Sequence, residues 1–213
     1  MTRRQPFLLT PRPGRVPGEG REVPTDRSIA ERLVAEIAFI HTSFLEAVDD
    51  LEDERFRARP GAKAPAIAFH LWHTARWADM LQGRLGELAP ALERVTTRDQ
   101  IWDARGLAEA WGLGTELGKG ATGMGLDDDA SAALHLPAGG EVASYAREAF
   151  TAAEDALRSI GDAELLLPTA DFYDEGDWVV LDHFCWHLAH AGRHLGMIEA
   201  LKGVLGLEGT VTV

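Results

Sequence analysis

The sequence predicts an all-α protein, a four-helix bundle with a long, partly irregular insertion between its second and third helices. Four segments, at about 26–53, 64–82, 140–160 and 177–202, repeat apolar residues with the period of an amphipathic helix. Strands do not alternate with these segments, and neither a phosphate-cradling glycine loop nor a Gly-x-Ser-x-Gly turn is found. Helices with one apolar stripe bury it against one another, so these segments favour a bundle.

The domain organisation follows from length and composition. A chain of 213 residues is long enough for one well-packed domain. Residues 1–26 are rich in proline and glycine, and such a segment cannot bury enough apolar surface to offset its ordering entropy. We therefore predict a flexible N-terminal arm over 1–26 and a single helical domain over 27–213.

Charge and cysteine content exclude several classes of protein. The net charge of -13 argues against nucleic acid and against an anionic membrane surface as partners. No apolar run approaches the roughly 18 residues of a membrane span. Cys185 is the only cysteine, which fits a reducing compartment, and we predict a cytoplasmic protein in which Cys185 is a small buried residue.

The first helix is predicted to begin at Thr25-Asp26, whose side chains can supply capping oxygens, and to end near residue 53. His41 lies at the edge of its apolar stripe. It is interpreted either as a flank or interface residue or as a group facing a metal pocket. The stripe itself consists of Leu33, Ile37, Ile40, Phe44, Val48 and Leu51.

The second helix presents two histidines one turn apart. His70 and His73 share its inward face with Trp77, so both can reach one pocket. Asp79 lies on the face opposite His73, which favours a salt bridge or a packing role over metal ligation.

The insertion, residues 83–137, carries many glycines that interrupt regular structure. Its Asp127-Asp128-Asp129 run lacks the alternate spacing of a calcium loop and is predicted to be a solvated helix start. His135 is predicted to lie at the surface. Long loops of compact domains are often functional, so the insertion is a candidate lid or wall over a pocket.

The fourth helix carries four of the eight histidines. His183, His187, His190 and His194 stand at i, i+4, i+7 and i+11. At 3.6 residues per turn these offsets place the rings within about 60° of each other on one helix face. Each imidazole has a donor and an acceptor that need partners, so such a face suits a metal site better than an apolar core.

His190 and His194, one turn apart, form a bidentate pair, and a third ligand from the second helix would complete a three-histidine set. Three neutral ligands leave an open coordination position, which is the catalytic pattern. Zinc, nickel or ferrous iron would suit imidazole ligands and would activate water or a thiol. His70, His183 and His187 would then orient the ligands or line the substrate pocket. The alternative is a helix interface hydrogen-bonded to backbone and water.

Two arginines lie near the same faces. Arg76 and Arg193 would suit a bidentate contact with a substrate carboxylate, or solvent-facing salt bridges.

Two motifs resemble those of the DinB/YfiT-like superfamily. Residues 66–76 (AIAFHLWHTAR) resemble its second-helix signature, and residues 190–199 (HAGRHLGMIE) its final-helix signature. Residues 102–114 also resemble the insertion of one DinB-like subgroup. The resemblance spans roughly 28–205. It implies a four-helix bundle, often dimeric, with a metal held by three histidines.

Carried over to this sequence, the resemblance implies His73, His190 and His194 as metal ligands. It leaves His70, His183, His187, Trp77 and Arg76 for the second shell or pocket. Characterised members of the superfamily include transferases and isomerases that use low-molecular-weight thiols.

Our leading hypothesis is a metal-dependent thiol transferase or hydrolase that acts on a small molecule and forms a homodimer. The alternatives are a non-catalytic metal-binding or dimerising stress-associated protein and a metal-free dimer with a histidine-lined ligand pocket.

Overall fold

A computed structural model describes residues 27–95, 99–170 and 177–210, and in these parts of the chain the structure is helical without strands. Four long helices form its body: α1 (Ile29–Val48), α3 (Ile67–Leu88), α7 (Gly139–Arg158) and α9 (Val180–Val204). The all-α prediction is therefore confirmed. Five short helices connect the long ones: α2 (Asp53–Arg57), α4 (Ile101–Ala104), α5 (Leu107–Ala110), α6 (Asp128–Ala133) and α8 (Asp162–Leu165).

The four long helices surround a shared core. Helices α1 and α3 each pack against both α7 and α9, so α1 and α3 face each other across the bundle. Every residue from His70 to Gln82 on α3 is buried, because α7 and α9 cover part of α3 and the insertion covers the rest. Trp72 contacts Trp102 of the insertion in this covered zone. The insertion thus completes the core around α3.

The first helix is shorter than predicted at both ends. Ser28 caps it by accepting from the backbone N–H of Glu31, and the Glu31 carboxylate accepts from the Ser28 N–H in return. The predicted caps Thr25 and Asp26, like the whole predicted arm 1–26, lie outside the described residues. The helix ends at Val48, and the acidic residues that follow are unfavourable at a helix C-terminus.

The second long helix is longer than predicted. It begins after Pro65 and runs to Leu88, past Gly83, where the sequence predicted its end. Gly83 serves close packing here: a Cβ at this position would lie 2.6 Å from Cγ of Gln100. The glycine lets the insertion approach the helix without ending it.

The last two long helices match their predicted bounds closely. The third spans Gly139–Arg158, and the fourth begins at Val180. Gly203 is still helical, so it is not the glycine that ends the fourth helix. The helix ends at Val204, and Gly206 follows with a φ of +74°.

The exposure of two side chains, His135 and Cys185, can be compared with the prediction. His135 is exposed, as predicted. Cys185 is exposed as well, so the prediction that it is buried was wrong. It projects from the outer side of α9, whereas His183 and His187 on either side of it are buried.

Asp127 caps α6 by accepting from the Ala130 N–H at 2.8 Å, which confirms the helix start predicted there. None of the helices in the described ranges is both long and apolar enough to cross a membrane.

Gly118 is the most tightly packed glycine in the described part of the insertion. Its φ is +74°, and a Cβ would lie 2.4 Å from the backbone oxygen of Met124. We expect Gly118→Ala to destabilise the protein by about 2 kcal/mol in urea unfolding, because both the backbone conformation and the contact resist a side chain.

Gly125→Ala is the matched control, because Gly125 also has a positive φ but nothing within 4 Å of the added Cβ. This variant should lower the free energy of unfolding only by the cost of the left-handed conformation, about 1 kcal/mol. Equal losses in the two variants would show that the contact with Met124 does not matter.

Candidate metal centre

Three histidine rings from two helices meet in the interior of the bundle. One ligand atom from each of His73, His190 and His194 lies within 4.8 Å of the others. The ring centroids are 4.5 Å apart for His190–His194, 4.7 Å for His73–His194 and 5.0 Å for His73–His190. Helix α3 therefore supplies one ring and α9 supplies two, one turn apart.

The spacing of these atoms fits a divalent transition metal. Zinc–imidazole bonds of about 2.0–2.1 Å place tetrahedral ligand atoms about 3.3 Å apart. The Nε2 atoms of His73 and His190 are 3.1 Å apart, close to that value. Separations within the group reach 4.8 Å, so the set has to contract when an ion binds.

A backbone carbonyl orients His73. Its Nδ1–H donates to the carbonyl oxygen of Thr122, a fully buried residue of the insertion. Because Nδ1 carries the proton, Nε2 keeps its lone pair and faces His190. A carbonyl that fixes the tautomer of a ligand in this way is the usual outer support of a metal-binding histidine.

His70 plays a comparable part beside His194. The Nδ1 atoms of the two rings are 2.8 Å apart, so one of them carries the shared hydrogen. When His194 donates it, Nε2 of His194 keeps its lone pair for a metal. His70 thus lies behind a ligand of the three-histidine set.

Burial keeps these imidazoles neutral. Burial, with a smaller contribution from neighbouring positive charge, lowers the pKa of His190 to about 3 and that of His194 to about 2. Burial likewise lowers the pKa of His73, against the hydrogen bond to Thr122. Neutral rings carry the lone pair that a metal requires, so the site is ready to bind at neutral pH.

Aromatic rings pack against two of the three histidines. Trp186 stacks on His190 with centroids 4.8 Å apart and planes 9° apart. Phe69 stacks on His73 in the same way at 5.5 Å and 12°. These contacts restrict the ring orientations of two of the three histidines.

Residues 37–198 match the family model described as the DinB superfamily, which covers most of the chain. The chain belongs to the DinB superfamily. Among solved structures, the crystal structure of a conserved protein from Enterococcus faecalis matches with a TM-score of 0.69 at 14% identity, over 84% of this chain and 99% of that one. At this identity the match supports the fold alone. Comparison with curated proteins found no match.

A narrow cavity lies next to the histidine cluster of this DinB-superfamily chain, and none of the three clustered histidines lines it. Its walls include Trp77, Trp178 and Trp186 together with His183 and His187. Trp77 and Trp186 also contact His190, so the cavity and the histidine cluster share a wall. Of the residues that the sequence assigned to the pocket, Trp77, His183 and His187 line this cavity, whereas His70 and Arg76 do not.

Arg76 lies in a buried polar network instead. It is 1% exposed, so the prediction of a solvent-facing salt bridge was wrong for this residue. Its Nη1 donates to Asp79 at 3.0 Å, which confirms a salt bridge for Asp79. Its Nε and Nη2 donate to the carbonyl oxygens of Ala121 and Gly120 at 3.0 and 3.1 Å. Arg76 thereby holds the loop whose next residue orients His73. Arg193, by contrast, is exposed.

Asp79 is the centre of that network and is fully buried. It accepts from the backbone N–H groups of Ile101 and Trp102 at 2.8 and 2.9 Å and from the Tyr145 hydroxyl at 3.0 Å. Sequence reasoning found the salt bridge but missed the attachment of the insertion. The i, i+3 spacing of Arg76 and Asp79 indicated the ion pair, but no local pattern indicated the contacts with the insertion.

His41 is the other site residue that the sequence placed less well. It is 1% exposed and packs inside the bundle, which excludes a solvent-facing flank and fits an interface between helices. Its Nε2 lies 2.9 Å from Nε2 of His187 in the cavity wall. A polar residue one position from an apolar stripe was the only indication in the sequence.

The neutral histidines predict a marked loss of stability in acid. Burial lowers the pKa of His70 to about 4, that of His190 to about 3 and that of His194 to about 2, whereas an unfolded histidine has a pKa of about 6.5. Below pH 6.5 the unfolded chain binds more protons than the folded one. Stability is therefore complete above that pH and falls as the pH drops toward 4, by about 1 kcal/mol per histidine per pH unit.

Urea unfolding of the metal-free protein at pH 7.5, 6.5 and 5.5 measures this loss. The exposed His135 offers a control, since His135→Gln should leave the pH dependence unchanged. A free energy of unfolding that stays constant from pH 7.5 to 5.5 would contradict buried neutral histidines.

Proposed function

We propose that this DinB-superfamily protein binds a divalent transition metal through His73, His190 and His194 and uses it to activate a thiol or water. The observation that carries the proposal is the meeting of three neutral imidazoles, one of them fixed by the Thr122 carbonyl, beside a cavity. The substrate is a small molecule bound in that cavity.

The ligand set favours catalysis over a closed structural site. Three imidazoles add no negative charge, so a bound divalent ion keeps its full charge and an open coordination position. Such an ion supplies Lewis acidity that favours deprotonation of water or of a thiol near neutral pH. Imidazole ligands suit zinc, nickel and ferrous iron.

The residues of the chain hold and shield the reacting groups. Three tryptophans, Trp77, Trp178 and Trp186, give the cavity an apolar wall that suits a planar or apolar substrate. The stacked Trp186 restricts the approach of bulk water to His190. Thr122 and His70 keep two of the metal-binding rings oriented while the substrate binds.

A low-molecular-weight thiol is the co-substrate that we propose on the resemblance to thiol-dependent members of the superfamily. Cobalt in place of the native metal gives a direct readout, because its absorption spectrum reports ligand type and number. Added thiol should produce a thiolate-to-cobalt charge-transfer band. An unchanged spectrum would favour the non-catalytic alternative, in which the coordination sphere is already closed.

Metal content is the decisive measurement for the site. We expect about one equivalent of metal per chain in the wild-type protein, and strong loss in His73→Ala and His190→Ala. His135→Ala is the matched control, because His135 is exposed and outside the cluster. Equal metal content in all four proteins would refute the site.

A homodimer and a cytoplasmic location remain predictions from the sequence. Sedimentation equilibrium of the purified protein distinguishes a dimer from a chain of 23.2 kDa. Fractionation of the source cells tests the location.

A further inference from the structure

A chain of hydrogen bonds crosses the bundle and ends at the cavity. Glu154 on α7 lies 3.0 Å from Nδ1 of His41 on α1, measured from its Oε1. Nε2 of His41 lies 2.9 Å from Nε2 of His187 on α9. Three helices therefore contribute one residue each to a single polar chain in an otherwise apolar part of the core.

The acid at the start of this chain determines which nitrogens carry hydrogen. The other oxygen of Glu154 accepts from Arg158 at 2.8 Å. Partial burial raises the pKa of Glu154, but the hydrogen bonds from His41 and Arg158 outweigh it and lower the pKa overall, so Glu154 is ionised. An ionised carboxylate only accepts, so the Nδ1 of His41 is the donor.

The positions of the other ring hydrogens of His41 and His187 follow from this donor. Burial lowers the pKa of both His41 and His187, so both rings are neutral and each carries one N–H. His41 uses its hydrogen on Glu154, which leaves its Nε2 as an acceptor. His187 must then donate through Nε2, and its Nδ1 is left with a lone pair.

That nitrogen of His187 is a buried acceptor without a partner in the described parts of the chain. His187 is 2% exposed and lines the cavity, and its other nitrogen is taken by His41. His41 itself is held flat against Phe150, with ring centroids 4.0 Å apart and planes 7° apart. A buried acceptor held this firmly favours a ligand that donates to it, because an unsatisfied buried polar group is costly.

We propose that Glu154 and His41 are positioning residues that fix His187 as a hydrogen-bond acceptor in the cavity wall. In the cavity, this acceptor then favours a ligand group that carries an O–H, S–H or N–H donor. The inference rests on the proposed function only in taking this cavity as the substrate site. The arrangement of hydrogens is independent of any metal.

Nitrogen NMR of the full-length, metal-free protein labelled with ¹⁵N-histidine tests the arrangement directly. We expect an unprotonated Nδ1 and a protonated Nε2 for His187, and the reverse for His41. Glu154→Gln offers a donor as well as an acceptor, so a second tautomer pair should become populated. A protonated Nδ1 on His187 in the wild-type protein would overturn the proposal, as would an unchanged tautomer in Glu154→Gln.

Asp155→Asn is the matched control. Asp155 also pairs with Arg158, at 2.7 Å, but no contact with His41 is described for it. This variant should keep the wild-type tautomers of both histidines. A changed tautomer there would mean that Arg158, and not Glu154, sets the arrangement.

Phenol and toluene, two rings of equal size, test the ligand preference. We expect phenol to bind the metal-free protein about fivefold more tightly than toluene, the ratio that one neutral hydrogen bond gives. We also expect phenol to shift the His187 Nδ1 resonance and to lose its advantage in His187→Phe. Equal affinities in the wild-type protein would overturn the ligand preference. Metal content is measured separately, so it tests the proposed metal site independently of the phenol result.

Discussion

Replacing Asp79 by alanine is expected to lower the free energy of unfolding by about 3–5 kcal/mol, the cost of breaking a buried ion pair by removing one partner. Arg76 would remain as an unpaired cation with 1% of its surface exposed. The backbone N–H groups of Ile101 and Trp102 would lose their acceptor as well. Urea unfolding of the metal-free variant measures the loss.

Two further variants separate the buried charge from other effects. Asp155→Ala removes a carboxylate from an ion pair whose Asp155 side chain is 54% exposed, and it should cost at most about 1 kcal/mol. Arg76→Met combined with Asp79→Leu removes both buried charges and should cost less than Asp79→Ala alone. An Asp79→Ala loss no larger than that of Asp155→Ala would show that the network contributes little.

Removal of the metal is the second change with a large expected effect. A ligand that binds only the folded state stabilises it by about 4 kcal/mol when its free concentration is about 1,000 times its Kd. For a domain of this size we expect the thermal midpoint to rise by about 10 °C with saturating zinc and to return when a chelator is added. Thermal unfolding by circular dichroism measures both midpoints.

The ligand variants provide the comparison. His190→Ala should show no zinc-dependent rise, because it removes one of three ligands and leaves a cavity beside Trp186. Cys185→Ser should respond like the wild-type protein, since the exposed thiol lies outside the cluster. A full zinc response in His190→Ala would place the bound ion elsewhere.

The helical fold was predictable because the four long helices carry strong local signals. Apolar residues recur at helical spacing in each of them, and that period survives without knowledge of tertiary contacts. The i, i+4 spacing of His190 and His194 is equally local, so two of the three clustered histidines follow from one helix. His73 required the resemblance, because periodicity alone did not distinguish it from His70.

Features that depend on distant contacts were not predictable. The second helix was predicted to end near residue 82, and the packing of Gln100 against Gly83 beyond that point could not be read from the sequence. His41 lies 113 residues from Glu154 and 146 from His187, and no local pattern connects them. Cys185 resembles a core residue by type, but its position on the outer side of α9 depends on which face the neighbouring helices cover.

The two-plus-one division of the cluster bears on how the chain acquires its ion. His190 and His194 need only a single helical turn to form a chelating pair, whereas His73 lies 117 residues from His190 and joins only when the bundle closes. A partly unfolded chain that keeps this turn therefore already retains some affinity for the ion. The part of the affinity that His73 and its Thr122 support contribute exists only in the folded state, so that part is what stabilises the fold.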